Sequence, residues 1–242
     1  MARQKNKIAL LIPAYDEELF IGKVINNCTK FCMDIIVVDD GSTDNTVSII
    51  KSIPKPKQCD VILIQHPENY GKGRSLVTGF NYAVEKKYEG IITIDADGQH
   101  DIDEIPVFLE KVEKENPDII VGNRLGNTKG MPFIRLATNV FTSWLISLIA
   151  GKKIKDVQSG YRYINTKVLE NIVIETGNFD TEPEILLKAA WLDYKISDIS
   201  ISTIYHKHFK SHVNPVTDTI KFFKLIFKCL RQKRRTCALK RS

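Results

Sequence analysis

The sequence predicts an α/β domain on a doubly wound, mostly parallel sheet flanked by helices. Three observations predict it. Short apolar runs alternate with segments of helical periodicity through the first half of the chain. The runs are continuously apolar, the pattern of strands buried on both faces of a parallel sheet. Each run is followed at once by carboxylates, cations or glycines, and ligands of open α/β sheets bind outside the carboxyl ends of the strands.

The elements follow in order. Ile8 to Pro13 (I-A-L-L-I-P) reads as a buried strand, and Glu17 to Lys30 as a helix carrying apolar Phe20, Val24 and Ile25. Ile35 to Val38 is a second strand, followed by a helix over Thr43 to Ile53 that a Ser or Asp cap starts. Val61 to Gln65 is a third strand, Gly73 to Lys87 a helix and Gly90 to Ile94 a fourth strand. Asp103 to Glu115 is helical, and Ile119 to Val121 is a fifth strand. Right-handed crossovers wind such a chain into one sheet covered on both sides.

Composition narrows the function. The chain has 242 residues, 43% hydrophobic and 26% charged, which excludes collagen-like, disulfide-scaffold and wholly disordered classes. The net charge of +6 is unevenly placed: residues 219–242 hold nine Lys or Arg and no acidic residue. The first 218 residues carry 26 basic against 29 acidic, so a uniformly basic nucleic-acid binder is not expected. This divides the chain into a catalytic domain over 1–218 and a basic tail over 219–242. Five cysteines without a C-x-x-C pair suit reduced thiols in a cytoplasmic setting. No signal peptide is visible, and the longest strongly apolar stretch, Phe141 to Ala150, is too short to span a bilayer.

The loops after the strands carry the chemistry. Asp95 and Asp97 follow I-I-T-I directly; two apart in extended chain, their carboxylates share a side, with Gln99 close behind. Such hard oxygen donors suit Mg²⁺ or Mn²⁺ and leave positions for substrate phosphates. Asp39 and Asp40, before Gly41, can accept from a base N–H or a ribose hydroxyl, whereas Asp44, Asp101 and Asp103 fit turn or cap positions. Lys72, Arg74, Arg124 and Arg135 can neutralise diphosphate. No G-x-x-x-x-G-K-[ST] is present, and Gly71 and Gly73 lack the third glycine of a dinucleotide fingerprint. Pro13-Ala14-Tyr15 replaces the glycine-rich first loop of sugar-1-phosphate nucleotidyltransferases.

Together, I-P-A-Y-D-E-E, V-V-D-D-G-S-T-D, N-Y-G-K-G, D-A-D-G-Q-H and D-V-Q-S-G-Y-R resemble glycosyltransferase family 2 with its GT-A fold. The similarity runs over residues 7–228 and is nearest to the dolichyl-phosphate mannose synthase-like, polyprenyl-phosphate branch. It implies inverting, metal-dependent transfer from a UDP- or GDP-linked sugar. Pro13, Ala14, Tyr15, Glu17, Asp39, Asp40, Lys72, Asp95, Ala96 and Asp97 then bind the donor, and Asp95, Asp97 and Gln99 hold the metal. Asp97, Arg124, Arg135, Glu182, Glu184 and His212 form the catalytic set. Arg135, Ser159, Arg162, Lys210 and Ser211 face the acceptor. Lys210, Ser211 and His212 stand where the branch often carries arginine and serine–lysine. His206 and His208 lack a third ligand for zinc and read as a polar loop.

The acceptor class the resemblance implies is a polyprenyl phosphate, whose ionised oxygen needs no strong base. A glycan or teichoic-type hydroxyl acceptor needs one, drawn from Asp180, Glu182 or Glu184. A non-catalytic sugar-nucleotide-binding or scaffold protein is the reading of another class. In the tail, Lys221, Lys224, Lys228 and Arg231 share one helical face, while Phe223, Ile226, Phe227 and Leu230 share the other. That is a basic amphipathic helix suited to an anionic membrane surface. Leu136 to Ala150 is a second candidate for shallow membrane contact, which places the protein peripherally on the inner face.

Overall fold

The computed structural model describes residues 8–126, 131, 133–177, 180–204, 226 and 231. The strands are β1 (Ile8–Ala14), β2 (Ile35–Asp39), β3 (Val61–Gln65), β4 (Gly90–Thr93), β5 (Ile119–Asn123), β6 (Arg162–Asn165) and β7 (Ile196–Ser200). Between them lie α1 (Ile21–Cys28), α2 (Thr46–Ser52), α3 (Lys72–Glu85), α4 (Ile105–Glu115), α5 (Phe133–Ala150), α6 (Thr166–Asn171) and α7 (Thr181–Trp191). All seven strands join one sheet in the order β3-β2-β1-β4-β6-β5-β7. Six run parallel to one another; β6 alone is reversed, pairing antiparallel with both β4 and β5.

Strand alternation divides the core into two layers. Ala9, Leu11, Ile36, Val38 and Ile91 face α3, α6 and α7, with Leu76, Phe80, Val168 and Leu186 packed on them. Leu10, Ile12, Ile35, Val37 and Ile92 face α1, α2 and α4, meeting Val24, Ile25, Ile50 and Phe108. Burial on both sides is what the unbroken apolar runs required.

Two expected helices begin later than their apolar pattern suggests. Residues 17–20 form a turn whose Glu17 carbonyl accepts from Phe20 and Ile21, and α1 starts only at Ile21. Asp44 accepts from the Thr46 and Glu18 amides, so α2 opens at Thr46. Asp101 accepts from the Asp103 amide, the capping role expected of it. The middle apolar segment forms the 18-residue α5, long and apolar enough by composition to cross a membrane, and so longer than the sequence suggested. Its Asn139, Thr142, Ser143, Ile146 and Ala150 are buried. Phe133, Ile134, Val140, Phe141, Trp144 and Leu148 stand exposed.

Gly41, in the loop after β2, has φ +73, and a Cβ there would lie 2.6 Å from the Glu68 carbonyl carbon. Gly41→Ala is expected to cost about 2 kcal/mol, because the strain and the backbone clash act together. Urea denaturation checks it, and a loss under 0.5 kcal/mol, roughly a neutral surface change, would contradict the close approach.

Candidate active site

The carboxyl ends of β1, β2 and β4 bring the predicted donor residues to one edge. Pro13 and Ala14 end β1, and the Ala14 carbonyl accepts from the Asp40 amide at 2.8 Å. Tyr15 follows, 39% exposed. Asp39 and Asp40 are both buried but do different work. Asp40 accepts from the Tyr70 and Gly71 amides at 3.1 and 2.7 Å and contacts His66 Nδ1 at 2.7 Å. Its carboxylate therefore ties down the loop after β3. Asp39 accepts only a long bond from the Ser42 amide, 3.3 Å, and its Oδ1 is buried with no hydrogen-bond partner among the described residues. Of the acidic pair, Asp39 retains an open acceptor for a base N–H.

The acidic centre lies just beyond β4. Burial opposes ionisation of Asp95, but Lys72 and His100 outweigh it and hold the carboxyl well below the usual range. Burial and the neighbouring Asp95 push Asp97 up to about 6. Burial, then Asp97 and Asp95, push Glu17 up to about 7. Three carboxyl groups from two loops thus crowd one volume, an arrangement that a cation relieves. Lys72 Nζ lies 2.7 Å from Asp95 Oδ1 and 3.1 Å from Glu182 Oε1, linking the centre to the start of α7. Gly160 is needed for the fit: a Cβ there would sit 2.8 Å from Asp95 Oδ2. Asp97 Oδ1 accepts from the Gln99 amide at 2.9 Å. Ala96 and Gln99 are buried, and Gln99 Nε2 has no hydrogen-bond partner among the described residues.

His100 was not among the expected site residues, although it closes D-A-D-G-Q-H. Its Nδ1 accepts from the Asp95 amide at 3.1 Å, and the ring stacks on Tyr161 at 4.8 Å. Burial pushes its pKa down to about 4, so the neutral ring braces the loop.

Three of the expected site residues are engaged with other parts of the protein. Arg162, 1% exposed, donates to the carbonyls of Ser159, Glu182 and Val157 at 2.6, 2.8 and 2.5 Å. Its guanidinium pins the loop before β6 to α7. Glu184 accepts from the Glu175 and Thr176 amides, the Thr176 hydroxyl and Lys188, so both its oxygens are engaged. Arg124 grips Asp156 through Nε and Nη2 at 2.8 and 2.9 Å, and its backbone amide donates to the same carboxylate at 3.1 Å. That fork is occupied; what Arg124 supplies to the centre is a buried positive charge near Asp95. Asp156, buried at the start of D-V-Q-S-G-Y-R, is a further residue of this site, and nothing in its local sequence marks it as the partner of Arg124. Arg135, on α5, lies close enough to stabilise the charge on Asp97. Ser159 is buried, and its Oγ has no hydrogen-bond partner among the described residues. His206, His208, Lys210, Ser211, His212 and most of the tail lie outside the described residues.

Among the described residues no three His, Cys, Asp or Glu side chains form a ready metal cage. The donor chemistry of Asp95 and Asp97 still fits Mg²⁺ or Mn²⁺, which are typically held by one or two carboxylates plus substrate phosphates.

This sheet with a single reversed strand and an acidic loop after β4 defines a glycosyltransferase of the GT-A fold. Its likeness to glucosyl-3-phosphoglycerate synthase of Mycobacterium tuberculosis, solved with Mn²⁺, UDP and phosphoglyceric acid, has a TM-score of 0.68. That likeness covers 95% of this chain and 78% of the other at 16% identity. Staphylococcus aureus TarS 1-349 with UDP-GlcNAc aligns at TM-score 0.63 and 19% identity, over 90% of this chain and 64% of the other. The chain belongs to glycosyl transferase family 2, whose profile matches residues 9–191. The UDP-N-acetylglucosamine–dolichyl-phosphate N-acetylglucosaminyltransferase of Methanococcus voltae is 32% identical over 89% of this chain and 93% of its own length. Polyprenol monophosphomannose synthase of Mycolicibacterium smegmatis is 28% identical over 70% of this chain and 66% of its own.

Proposed function

We propose that this enzyme transfers a sugar, with inversion, from a nucleotide-diphosphate sugar to a polyprenyl phosphate at a membrane surface. The observation that carries the reading is the match, along nearly its whole length, to a relative named for dolichyl phosphate. The site supports it on chemical grounds. A hydroxyl acceptor needs a general base, and of the three acidic residues at the start of α7 Glu184 is engaged by the fold and Glu182 by Lys72, which leaves Asp180. A phosphate acceptor arrives ionised and needs none.

In this reading Asp39 accepts from the base, while Pro13, Ala14 and Tyr15 line the nucleoside. Asp95 and Asp97 would hold Mg²⁺ or Mn²⁺, which supplies charge neutralisation at the departing diphosphate. Lys72 sits where it can follow that charge, and Arg135 is placed to orient the acceptor phosphate. Arg162 and Asp156 act one layer back, fixing the loop that carries Gly160. UDP- and GDP-linked donors both remain candidates.

Membrane attachment in this reading rests on α5 and on the basic tail. Within the tail, Ile226 is helical and buried in the core, so that position of the apolar face meets protein and not lipid; Arg231 is helical and exposed.

A donor panel with UDP-glucose, UDP-N-acetylglucosamine and GDP-mannose tests the function, assayed with Mn²⁺ or Mg²⁺ against a short polyprenyl phosphate, a hydroxyl glycan and water. One donor should label the lipid phosphate; EDTA should abolish transfer and excess metal restore it. Transfer to the glycan alone, or insensitivity to EDTA, would overturn the assignment.

A further inference from the structure

One cleft lies between α5 and the residues that flank Arg124. Beside α5, a cavity of about 420 Å³ is lined by Leu125, Val140, Trp144, Lys153, Ile154 and Lys155, among others. That volume suits one small ligand or a length of hydrocarbon chain. The cleft shares Val140 and Trp144, 50% and 59% exposed, with the outward face of α5, where Phe141 and Leu148 extend the same surface. The helix has no acidic residue, and Arg135 is its one ionisable group. Directly after it come Lys152, Lys153 and Lys155. Lys152 donates to the Tyr194 carbonyl and Lys155 pairs with Asp198, whereas Lys153 is exposed and forms no ion pair among the described residues. Hydrocarbon walls with a cation at the rim match an amphiphile with an anionic head.

We propose that this cleft binds one anionic membrane lipid, its chain between Val140, Trp144 and Ile154 and its phosphate on Lys153. The proposal rests on the reading that the enzyme works at a membrane. Charge disfavours the chain's own tail as occupant, since every charged residue over 219–242 is cationic and would meet the lysines. A second copy would bring the same lysines together across the interface. A phosphate head satisfies the lysine, and the apolar face around the cleft continues into the acyl region. The lipid would then hold α5, and Arg135 with it, at a defined depth in the interface.

Bromine on an acyl chain quenches a tryptophan within contact distance, and Trp144 is one of only two tryptophans, the other being buried Trp191. The full-length protein is titrated with vesicles of phosphatidylcholine containing brominated phosphatidylglycerol, and with brominated phosphatidylcholine alone. Quenching should be saturable and strongest with the anionic lipid, and Trp144→Phe should remove it. Lys153→Glu should raise the half-quenching lipid concentration roughly tenfold, in line with one to two surface charges. Val140→Asp should abolish the quench while leaving thermal stability unchanged.

Equal quenching by the two lipids, indifferent to Lys153→Glu, would overturn the site. So would Trp144 shielding from iodide in a lipid-free dimer. Polyprenyl phosphate displacing the brominated lipid mole for mole would give the cleft to the acceptor and also overturn it. Flotation separates the two readings. Protein that floats with vesicles while Trp144 stays unquenched loses the cleft but keeps membrane action. Quenching that persists when no polyprenyl phosphate is glycosylated keeps the cleft and removes the acceptor assignment.

Discussion

Asp97→Ala is expected to lower transfer at least 10³-fold while the protein stays folded. Loss of one preorganised contact at a developing charge typically costs about 10²–10³ in rate. In the proposed reading Asp97 is asked to do more, since it would also share the metal with Asp95. Stability should hold or rise, because Asp97 is the main charged neighbour pushing Glu17 up to about 7, and it is itself raised by Asp95. Removing it relieves like-charge crowding. Steady-state kinetics with a saturating donor, read beside a thermal melt, separates the two effects. Near-normal turnover would sink the metal assignment, whereas a large fall in melting temperature would make Asp97 a structural residue.

Asp156→Ala should be the most destabilising single change at the site, by about 3–5 kcal/mol. Asp156 is fully buried and accepts three bonds from Arg124, two from the guanidinium and one from the backbone. Without it a buried guanidinium is left uncompensated, with Arg162 adding positive charge nearby. Asp156→Asn should recover part of the loss by restoring an acceptor. The midpoint of urea unfolding measures both variants. A cost below about 1 kcal/mol would be the size of an exposed pair and would refute a closed, desolvated one.

The donor half could be read from the sequence because its signals are local. Each of β1 to β5 is an apolar run with its chemistry attached at the carboxyl end, so Asp95 and Asp97 announce themselves within a few residues. The acceptor half hides its logic in contacts between distant segments. Arg162 in S-G-Y-R has the composition of a phosphate ligand. Its actual partners are the carbonyls of Val157, Ser159 and Glu182, and no spacing rule reveals that. Glu184 is the same kind of case, since its oxygens go to Thr176 and Lys188. Asp40 sits in the expected motif, yet its oxygens go to backbone amides thirty residues on, which only the folded loop supplies. The strand β6, R-Y-I-N, is four residues long with Arg162 inside it, too short and too mixed for a periodicity argument.

That reversed strand dictates the order in which the chain can assemble. β5 meets the rest of the sheet only through β6, and β7 only through β5. During synthesis β5 therefore emerges well before the strand that can seat it, while β1 to β4 already have all their mutual partners. The half built on β1 to β4 can collapse early around α1, α2 and α3, and the half built on β5 to β7 must wait for β6 to close a long loop, the slower event. Refolding should show two phases, with protection of β1 and β2 amides preceding that of β5 and β7.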